Sequence, residues 1–389
     1  MWRVRYLLEP RTMEISLFAF ALAFALACAN GTNDVSKAIA TLVGSGVTDY
    51  RSAIVWGTVW TVIGAGVAAF VARAMVNTFS HGLVQAGTII EPAATLAVLT
   101  GAMAWILFAS RTGLPVSTTH ALTGSIVGAG FVAFAGEGLI WSAIGKKIAL
   151  PLLLSPFLAL TVSLLIHPVV RALARKWEGA CLCLMPASRA LVAIDPRGET
   201  RTLFQGPDFG QPVIAVPSQC DRAGLQGLIV GLDTIHWISS GLASFARGTN
   251  DAPKIVAMLL LGSTTATWPS TSSQLIAFGG VAIAMGLGSY FGGLRVTKVL
   301  AENVTKMSHA EGLSANLATS SLVLVSGFLG LPVSTTHLSS SAIIGIGLLK
   351  GRNSLRWTTV RDMVLAWVVT LPASALLAGI AYLILTKVL

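Results

Sequence analysis

Two unrelated motifs each occur twice in the chain, and the same distance separates both pairs of copies. The tetrapeptide Gly-Thr-Asn-Asp at 31–34 recurs at 248–251, and the octapeptide Gly-Leu-Pro-Val-Ser-Thr-Thr-His at 113–120 recurs at 330–337. Both offsets are 217 positions (31 to 248 and 113 to 330). Because two independent motifs share one offset, the halves are copies of one unit, and the fold must accommodate two equivalent units.

Long apolar segments occur at matching places in the two copies. They cover about 14–29, 52–75, 89–110 and 147–170 in the first copy, and about 225–246, 274–299, 313–329 and 361–387 in the second. Crossing the roughly 30 Å hydrocarbon layer takes about 20 apolar residues in a helix. Only 11% of the 389 residues are charged, against about 25% in soluble domains. A soluble enzyme, a fibrous protein and a disordered chain are excluded, and we predict an all-α polytopic membrane protein.

Shorter apolar pieces rich in Gly, Ser and Thr lie between the long segments, at about 35–47, 117–135, 252–262 and 334–349. Gly or Pro interrupts each piece beside a polar cluster. Short, interrupted segments at corresponding places in two halves indicate the binding site of a transporter. Non-helical backbone is tolerated at membrane depth only where protein or a water-filled cavity satisfies it. We therefore expect broken helices or re-entrant hairpins there.

The chain divides into a first transmembrane repeat at 1–170, a polar linker at 171–222 and a second transmembrane repeat at 223–389. Seven Lys and Arg residues stand in the linker among Asp, Glu, Pro and Gly. It is too polar to span a membrane, and we expect a cytoplasmic tether with at most a little β structure. Lys and Arg residues retain membrane loops on the cytoplasmic side. This explains the net charge of +10 without a nucleic-acid partner.

The first apolar segment begins like a secretory signal, with three arginines before an apolar stretch and then Ala27-Cys28-Ala29. Cleavage would remove from the first copy the helix that the second copy keeps at 225–246. We therefore predict a retained first membrane helix.

Charge gives two conflicting indications about the relative orientation of the repeats. Inverted copies place the basic loop 350–361 on the linker side and its less charged counterpart before Lys147 on the other. Inversion also places Arg3, Arg5 and Arg11 outside, where they are disfavoured. Inversion is thus supported by the loops and opposed by the N-terminus.

The Asn-Asp pairs place a carboxylate within an apolar segment of each copy. An acid at membrane depth is costly unless paired or solvated, and so indicates a functional site. The Asn oxygen, with backbone carbonyls freed at a helix break, would complete an oxygen-lined cation site. The candidate ligands for a coupling ion, Na⁺ or H⁺, are Asn33, Asp34, Asn250 and Asp251. Helix capping is the alternative reading.

The Ser-Thr-Thr-His runs have the opposite polarity. Each follows Leu-Pro and is expected to begin a short helix. Hydroxyl and backbone N–H groups at a positive helix end form an anion site, and two copies could enclose a tetrahedral oxyanion. The candidate ligands are Ser117, Thr118, Thr119, Ser334, Thr335 and Thr336. The alternative is a helix start that satisfies its own backbone.

Six further residues are candidates for coupling or accessory roles: Glu91, His120, Glu311, His337, Lys37 and Lys254. The histidines follow the Thr-Thr pairs and could donate to an anion or titrate, whereas a structural hydrogen bond is the alternative. The glutamates lie roughly 20 residues before each Leu-Pro, where loop-end acids are also common. Asp233 and His236, one turn apart, form a possible buried pair.

Together, the duplicated motifs resemble those of the inorganic phosphate transporter (PiT) family, over nearly the whole chain from about residue 15. That family's first motif usually reads Gly-Ala-Asn-Asp, followed by Val-Ala-Asn. Thr32 and Thr249 stand here where Ala is usual, and Lys37 and Lys254 where Asn is frequent. The resemblance implies inverted repeats with re-entrant hairpins. It also implies that the Asn-Asp pairs hold coupling cations and the Ser-Thr-Thr runs bind phosphate near the midplane.

From the residues and this resemblance we predict an ion-coupled symporter, driven by Na⁺ or H⁺, that imports inorganic phosphate by alternating access. It would be a multi-pass protein of the inner (plasma) membrane without an enzyme cofactor, and it could assemble as a homodimer. A sulfate or related oxyanion permease on the same scaffold is the alternative. An intramembrane enzyme would need one asymmetric constellation rather than symmetric pairs, and an anion channel would not concentrate its substrate.

Overall fold

The computed structural model describes residues 10–177 apart from 81 and 89, four strands within 181–215, and residues 231–261 and 270–389. In the first repeat it contains α1 (Pro10–Asp34), α2 (Ser36–Gly44), α3 (Tyr50–Val71), α4 (Arg73–Ser80), α5 (Pro92–Thr112), α6 (Thr118–Phe134), α7 (Trp141–Ala143) and α8 (Leu150–Trp177). The second contains α9 (Leu232–Leu261), α10 (Thr271–Gly292), α11 (Leu294–Glu302), α12 (His309–Phe328), α13 (Thr335–Leu349) and α14 (Trp357–Val388). A π-helical turn, Ile144–Ala149, joins α7 to α8.

Within the predicted linker, the four strands form two antiparallel pairs. They are β1 (Cys181–Met185), β2 (Ala190–Ile194), β3 (Thr200–Gln205) and β4 (Gln211–Ala215), with β1 on β4 and β2 on β3. The segment predicted as a tether therefore carries β structure, and its first residues continue α8. The predicted apolar start at 225–230 lies outside the described residues, as do the N-terminal arginines at 3 and 5.

Six helical segments of the described chain are long and apolar enough to cross a membrane. They are Ile15–Gly44, Tyr50–Val71, Pro92–Thr112, Trp141–Arg175, Thr271–Gly292 and Trp357–Val388. Large apolar side chains on their outer surface, such as Phe70, Phe157 and Phe291, are exposed. Such a belt is suited to lipid rather than water. The prediction of an all-α polytopic membrane protein is confirmed for the transmembrane part.

The two repeats interlock instead of forming separate bundles. In the first repeat α1 packs on α10 of the second, and its counterpart α9 packs on α3 of the first. In the same way α6 packs on α14, and its counterpart α13 packs on α8. One hydrophobic core therefore contains residues from both repeats, including Leu26, Leu99 and Met285.

The directions of neighbouring helices show that the repeats are inverted. Helix α1 runs parallel to α10, and α3 runs parallel to α9, whereas α3 and α10 are antiparallel. The contacts are Phe20–Gly280 and Thr32–Gly292 for α1 and α10, Trp56–Trp237 and Ala65–Gly248 for α3 and α9, and Ala69–Gln274 and Val62–Gly286 for α3 and α10. It follows that α1 and its counterpart α9 run in opposite directions.

Two hairpins carry the Leu-Pro motifs. The start of α5 and the end of α6 lie together, since Ala94 and Phe134 line one small cavity. The start of α12 and the end of α13 are joined by an ion pair, with Lys350 Nζ 3.1 Å from Glu311 Oε2. At each tip a glycine adopts a left-handed conformation that other residues disfavour, with φ +81° at 113 and +66° at 330. The predicted hairpins are thus present.

Beside the Asn-Asp pairs, however, the helices are interrupted less than the sequence predicts. Only Val35 separates α1 from α2, and its backbone is still α-helical (φ −58°, ψ −33°). In the second repeat α9 continues to Leu261 with Pro253 inside it. Because proline has no backbone N–H, one helical hydrogen bond is missing there. The predicted break is therefore present in the first repeat as a one-residue interruption, and the prediction was wrong for the second repeat.

Breaks also occur in segments predicted to be continuous. Ala72 separates α3 from α4, and Gly293 separates α10 from α11. A Cβ at Gly293 would lie 2.3 Å from Val35 Cγ1, so the chain passes against α1 closely enough to require glycine. This packing depends on the partner helix, which periodicity within one segment does not reveal.

Candidate functional site

The duplicated motifs meet in one buried cluster between the repeats. In α1, Asn30 Nδ2 lies 3.1 Å from Asp34 Oδ2 and 3.4 Å from Asp251 Oδ2 of α9. At the start of α6, Thr118 Oγ1 accepts from Asn30 at 2.8 Å and donates to Asp34 Oδ2 at 3.3 Å. These side chains are at most 2% exposed. The predicted acid and hydroxyl residues are therefore brought together at the interface of the two copies.

The hairpin tips bind each other symmetrically. Thr119 Oγ1 donates to the carbonyl oxygen of Val333 at 3.1 Å, and Thr336 Oγ1 donates to that of Val116 at 2.6 Å. Each carbonyl belongs to the non-helical residues just before a Ser-Thr-Thr run. The two runs thus begin their helices side by side, which places two positive helix ends in the same region.

Both lysines form buried ion pairs with the aspartate three residues before them. Lys37 binds Asp34 and also donates to the carbonyl of Val116 at 3.1 Å. Lys254 Nζ lies 3.1 Å from Asp251 Oδ1, and Lys37 and Lys254 are 2% and 0% exposed. Burial of an ammonium is costly unless oxygens satisfy it, and here carboxylate and carbonyl oxygens do so.

Arg247 belongs to the same region, although the sequence analysis did not select it. It stands at the position that Asn30 holds in the first repeat (30 to 247), one turn before the Asn-Asp pair. Its Nη2 donates to Thr61 Oγ1 at 2.5 Å and lies 3.4 Å from Ser289 Oγ. Its Nε and Nη1 have no hydrogen-bond partner among the described residues. An arginine within an apolar segment was the signal that could have identified it.

We call Asp34, Lys37, Arg247, Asp251 and Lys254 the central cluster. Arg247 lies one helical turn before Asp251 in α9 and is buried like both aspartates. With every group ionised, these five described residues carry three positive and two negative charges. A buried surplus of one positive charge, with guanidinium N–H groups left unpaired, favours an anion in or beside the cluster.

Several predicted ligands instead hold the hairpins in shape. Asn33 Nδ2 donates to the carbonyl of Leu114 at 2.9 Å, and Asn33 Oδ1 accepts from the N–H of Val116 at 3.1 Å. Ser117 and Ser334 cap their helices by accepting from backbone N–H groups three residues on. For the serines, the helix-start alternative describes what the side chains do here.

The remaining asparagine of the Asn-Asp pairs lies at the cluster itself. Asn250 Nδ2 donates to Asp251 Oδ1 at 2.9 Å, and its Oδ1 has no partner among the described residues. Asn250 thus keeps a free amide oxygen next to the carboxylate, unlike Asn33.

The two motif histidines stack between the hairpins, with ring centroids 4.6 Å apart. His337 Nδ1 lies 3.1 Å from the carbonyl oxygen of Leu152, and its ring also packs on Trp367. Within the described chain His120 Nδ1 and His337 Nε2 have no hydrogen-bond partner.

The glutamates and Asp233 lie away from the cluster. Glu91 accepts from Tyr382 Oη at 3.1 Å at the start of α5, and Glu311 caps α12 through Ser308. The Asp233–His236 pair was a wrong prediction, because Asp233 binds His309 Nδ1 at 2.6 Å. His236 bonds Thr41 instead, at 3.3 Å.

Comparison with known proteins identifies the family. A family model described as "Phosphate transporter family" matches residues 30–378. Relatives from Bacillus subtilis and Mycobacterium tuberculosis, each named "Probable low-affinity inorganic phosphate transporter", are both 28% identical; the match covers 97% and 95% of this chain and 98% and 78% of theirs. A solved structure named "The sodium-dependent phosphate transporter" has the same fold, with a TM-score of 0.75 and 22% identity over 97% of this chain and 100% of that one. The chain therefore belongs to the phosphate transporter family.

Proposed function

We propose that the chain imports inorganic phosphate across the plasma membrane as a cation-coupled symporter that works by alternating access. The observation that carries the proposal is the surplus positive charge of the central cluster, buried where two inverted repeats meet. The names of the Bacillus and Mycobacterium relatives support phosphate as the substrate. The family consists of transporters, so the chain is not an enzyme.

Phosphate would bind between the starts of α6 and α13. Helix N-termini attract anions, and the unpaired N–H groups of Arg247 offer further charged donors. The proposed ligands are Ser117, Thr118, Thr119, Ser334, Thr335 and Thr336. Because Thr119 and Thr336 donate to carbonyls across the interface, turning either hydroxyl toward phosphate would release a contact between the hairpins. Binding would thereby loosen the interface that has to move.

The carboxylates favour phosphate over sulfate. Near neutral pH phosphate carries hydroxyl donors and sulfate does not, so an acceptor beside the anion discriminates between them. Asp34 and Asp251 are such acceptors within the cluster, and Asn250 Oδ1 is a neutral one without a partner among the described residues.

Coupling would follow from the charge of the cluster. Asp34 and Asp251 are buried and separated from solvent in this conformation. A coupling cation, Na⁺ or H⁺, would offset the charge that the anion brings, so that the fully loaded site moves between the two faces more easily than a partly loaded one. The structural neighbour's name, a sodium-dependent transporter, supports a coupling cation.

The linker face would be cytoplasmic. His167, near the end of α8, hydrogen-bonds Ser314 at 3.1 Å near the start of α12, and Glu311 of α12 pairs with Lys350. The linker thus starts on the same face as the basic loop 350–361, and positively charged loops are retained inside.

Uptake into proteoliposomes tests the substrate. Labelled phosphate is offered to the reconstituted protein with an inward gradient of Na⁺ or H⁺ or neither, and unlabelled sulfate is the competitor. We expect gradient-dependent phosphate uptake that excess sulfate leaves unchanged. Strong inhibition by sulfate, or uptake of sulfate alone, would mean that the substrate is a different oxyanion.

A further inference from the structure

Each lysine of the central cluster lies in a pocket of oxygen atoms. Lys254 Nζ contacts Asp251 Oδ1 at 3.1 Å, Thr119 Oγ1 at 2.8 Å and the carbonyl oxygen of Val333 at 3.3 Å. Such a set of carboxylate, hydroxyl and carbonyl oxygens is also what a hard cation takes as ligands, and non-helical carbonyls in transporters coordinate Na⁺.

The first repeat has the carboxylate and carbonyl part of this arrangement. Lys37 binds Asp34 and donates to the carbonyl oxygen of Val116 at 3.1 Å. Val116 and Val333 occupy equivalent positions at the hairpin tips, and both lysines lie three residues after their aspartate. Both copies of the unit therefore place a buried ammonium between a carboxylate and a hairpin-tip carbonyl.

A mobile cation cannot share these oxygens. Both ammonium groups are almost completely buried, so a Na⁺ on the same carboxylate and carbonyl would lie within a few ångströms of a like charge that water does not screen. Arg247, buried one helical turn before Asp251, adds a third positive charge to the region. Even before phosphate binds, the three cations outnumber the two carboxylates, so a metal cation at these oxygens would be repelled by the cluster.

We propose that Lys37 and Lys254 act as covalently attached cations in place of coupling Na⁺ ions, so that phosphate binding and transport by this chain require no Na⁺. The inference rests on the proposed function and decides between the two coupling ions left open there. Phosphate would then be held by charges that belong to the protein itself, and the energy for accumulation would come from a source other than a Na⁺ gradient.

The ion dependence of uptake tests the inference. Initial rates of labelled phosphate uptake are measured in proteoliposomes at one fixed pH, with external NaCl or choline chloride at equal concentration. The wild type should show rates within about twofold of each other. In the variants Lys37→Asn and Lys254→Asn, removal of the ammonium leaves its oxygen ligands available to Na⁺. Uptake in choline chloride should therefore fall at least about tenfold, and NaCl should restore a large part of it. Lys350→Asn, which removes a lysine paired with Glu311 outside the cluster, is the matched control and should remain insensitive to Na⁺.

The outcomes separate the inference from the function. Phosphate uptake by the wild type that needs Na⁺ would overturn the inference and leave the transport function intact. Lysine variants that are folded, by size exclusion and thermal melting, but show no response to Na⁺ would also overturn it. If these variants do not fold, the wild-type comparison decides alone. A wild type that takes up no phosphate in either salt would overturn the proposed function instead.

Discussion

At the scale of single residues, the site is asymmetric although the chain is duplicated. Asn30 in the first repeat corresponds to Arg247 in the second, so a neutral amide in one repeat stands where the other repeat has a guanidinium. The amide donates to both aspartates and to Thr118. The guanidinium keeps two donor nitrogens without partners among the described residues. This single difference produces the surplus positive charge of the central cluster.

Replacing Arg247 should weaken phosphate binding without unfolding the protein. Hydrogen bonds to charged groups contribute about 1.5–3 kcal/mol, so Arg247→Gln should raise the Kd for phosphate about 10- to 100-fold. Titration of the purified protein with labelled phosphate measures this, and Arg361→Gln, on an exposed side chain, is the control. An unchanged Kd in Arg247→Gln would place the anion elsewhere.

Removing a carboxylate should abolish uptake and destabilise the protein. Asp34→Asn leaves the buried Lys37 unpaired, which costs about 3–5 kcal/mol. The double variant Asp34→Asn/Lys37→Asn removes both charges and should recover most of the melting temperature but not uptake. Melting in detergent and proteoliposome uptake separate the two effects; wild-type transport by the folded double variant would remove Asp34 from the mechanism.

The sequence predicted much of the site because duplication marked it. Asp34, Asp251 and the threonines occur twice at one offset, and the structure brings both aspartates together with Thr118. Arg247 was missed for the same reason, because it has no duplicate. Spacing alone suggested Glu91 and Glu311, yet both lie at helix starts, where caps and salt bridges use acids as readily as active sites do.

At the scale of elements, glycines allow helices of the two repeats to pack against each other closely. In α10, a Cβ on Gly288 would lie 1.9 Å from the carbonyl oxygen of Cys28 in α1, whereas a Cβ on Gly279 of the same helix meets nothing within 4 Å. Packing through small residues is the usual way for helices to associate in a bilayer.

These two glycines form a matched pair for mutation. Gly288→Ala must push α1 and α10 apart and should destabilise the protein by about 1–3 kcal/mol, as overpacking does. Gly279→Ala should be neutral or slightly stabilising. Thermal melting of both variants in detergent checks this, and equal melting temperatures would show that α1 and α10 are not in contact there.

The sequence predicted which elements form better than it predicted where each helix is interrupted. Glycine, proline and polar residues between apolar runs predicted the two hairpins. They did not predict that α9 runs through its Asn-Asp pair, since one proline in a packed helix removes a single hydrogen bond. The break at Gly293 depends on the approach of Val35 from the other repeat, which a reading of local sequence does not include.

At the scale of the whole molecule, packing resolves the orientation that charge left open. The basic loop at 350–361 favoured inverted repeats and the N-terminal arginines opposed them. Since α1 and α9 run in opposite directions, the repeats are inverted, and the arginine-rich terminus is the weaker of the two charge signals. Inverted copies can exchange conformations, which supplies two equivalent states of opposite accessibility.

Equivalent positions in the two repeats should be reached from opposite sides. Glu137 and Ser354 differ by the repeat offset (137 to 354) and lie in the loops after α6 and α13. In a version without native cysteines, a membrane-impermeant thiol reagent added outside cells should label Glu137→Cys directly, and Ser354→Cys only after permeabilisation. Labelling of both from one side would contradict inversion.

The central claim is that this chain accumulates phosphate through the site between its repeats. The most direct test is the steady-state phosphate ratio across proteoliposomes with inward gradients of both H⁺ and Na⁺, comparing wild type with the Asp34→Asn/Lys37→Asn variant. We predict that the wild type concentrates phosphate several-fold above the external level and that the variant does not. Simple equilibration by the wild type, or equal accumulation by both proteins, would contradict this account.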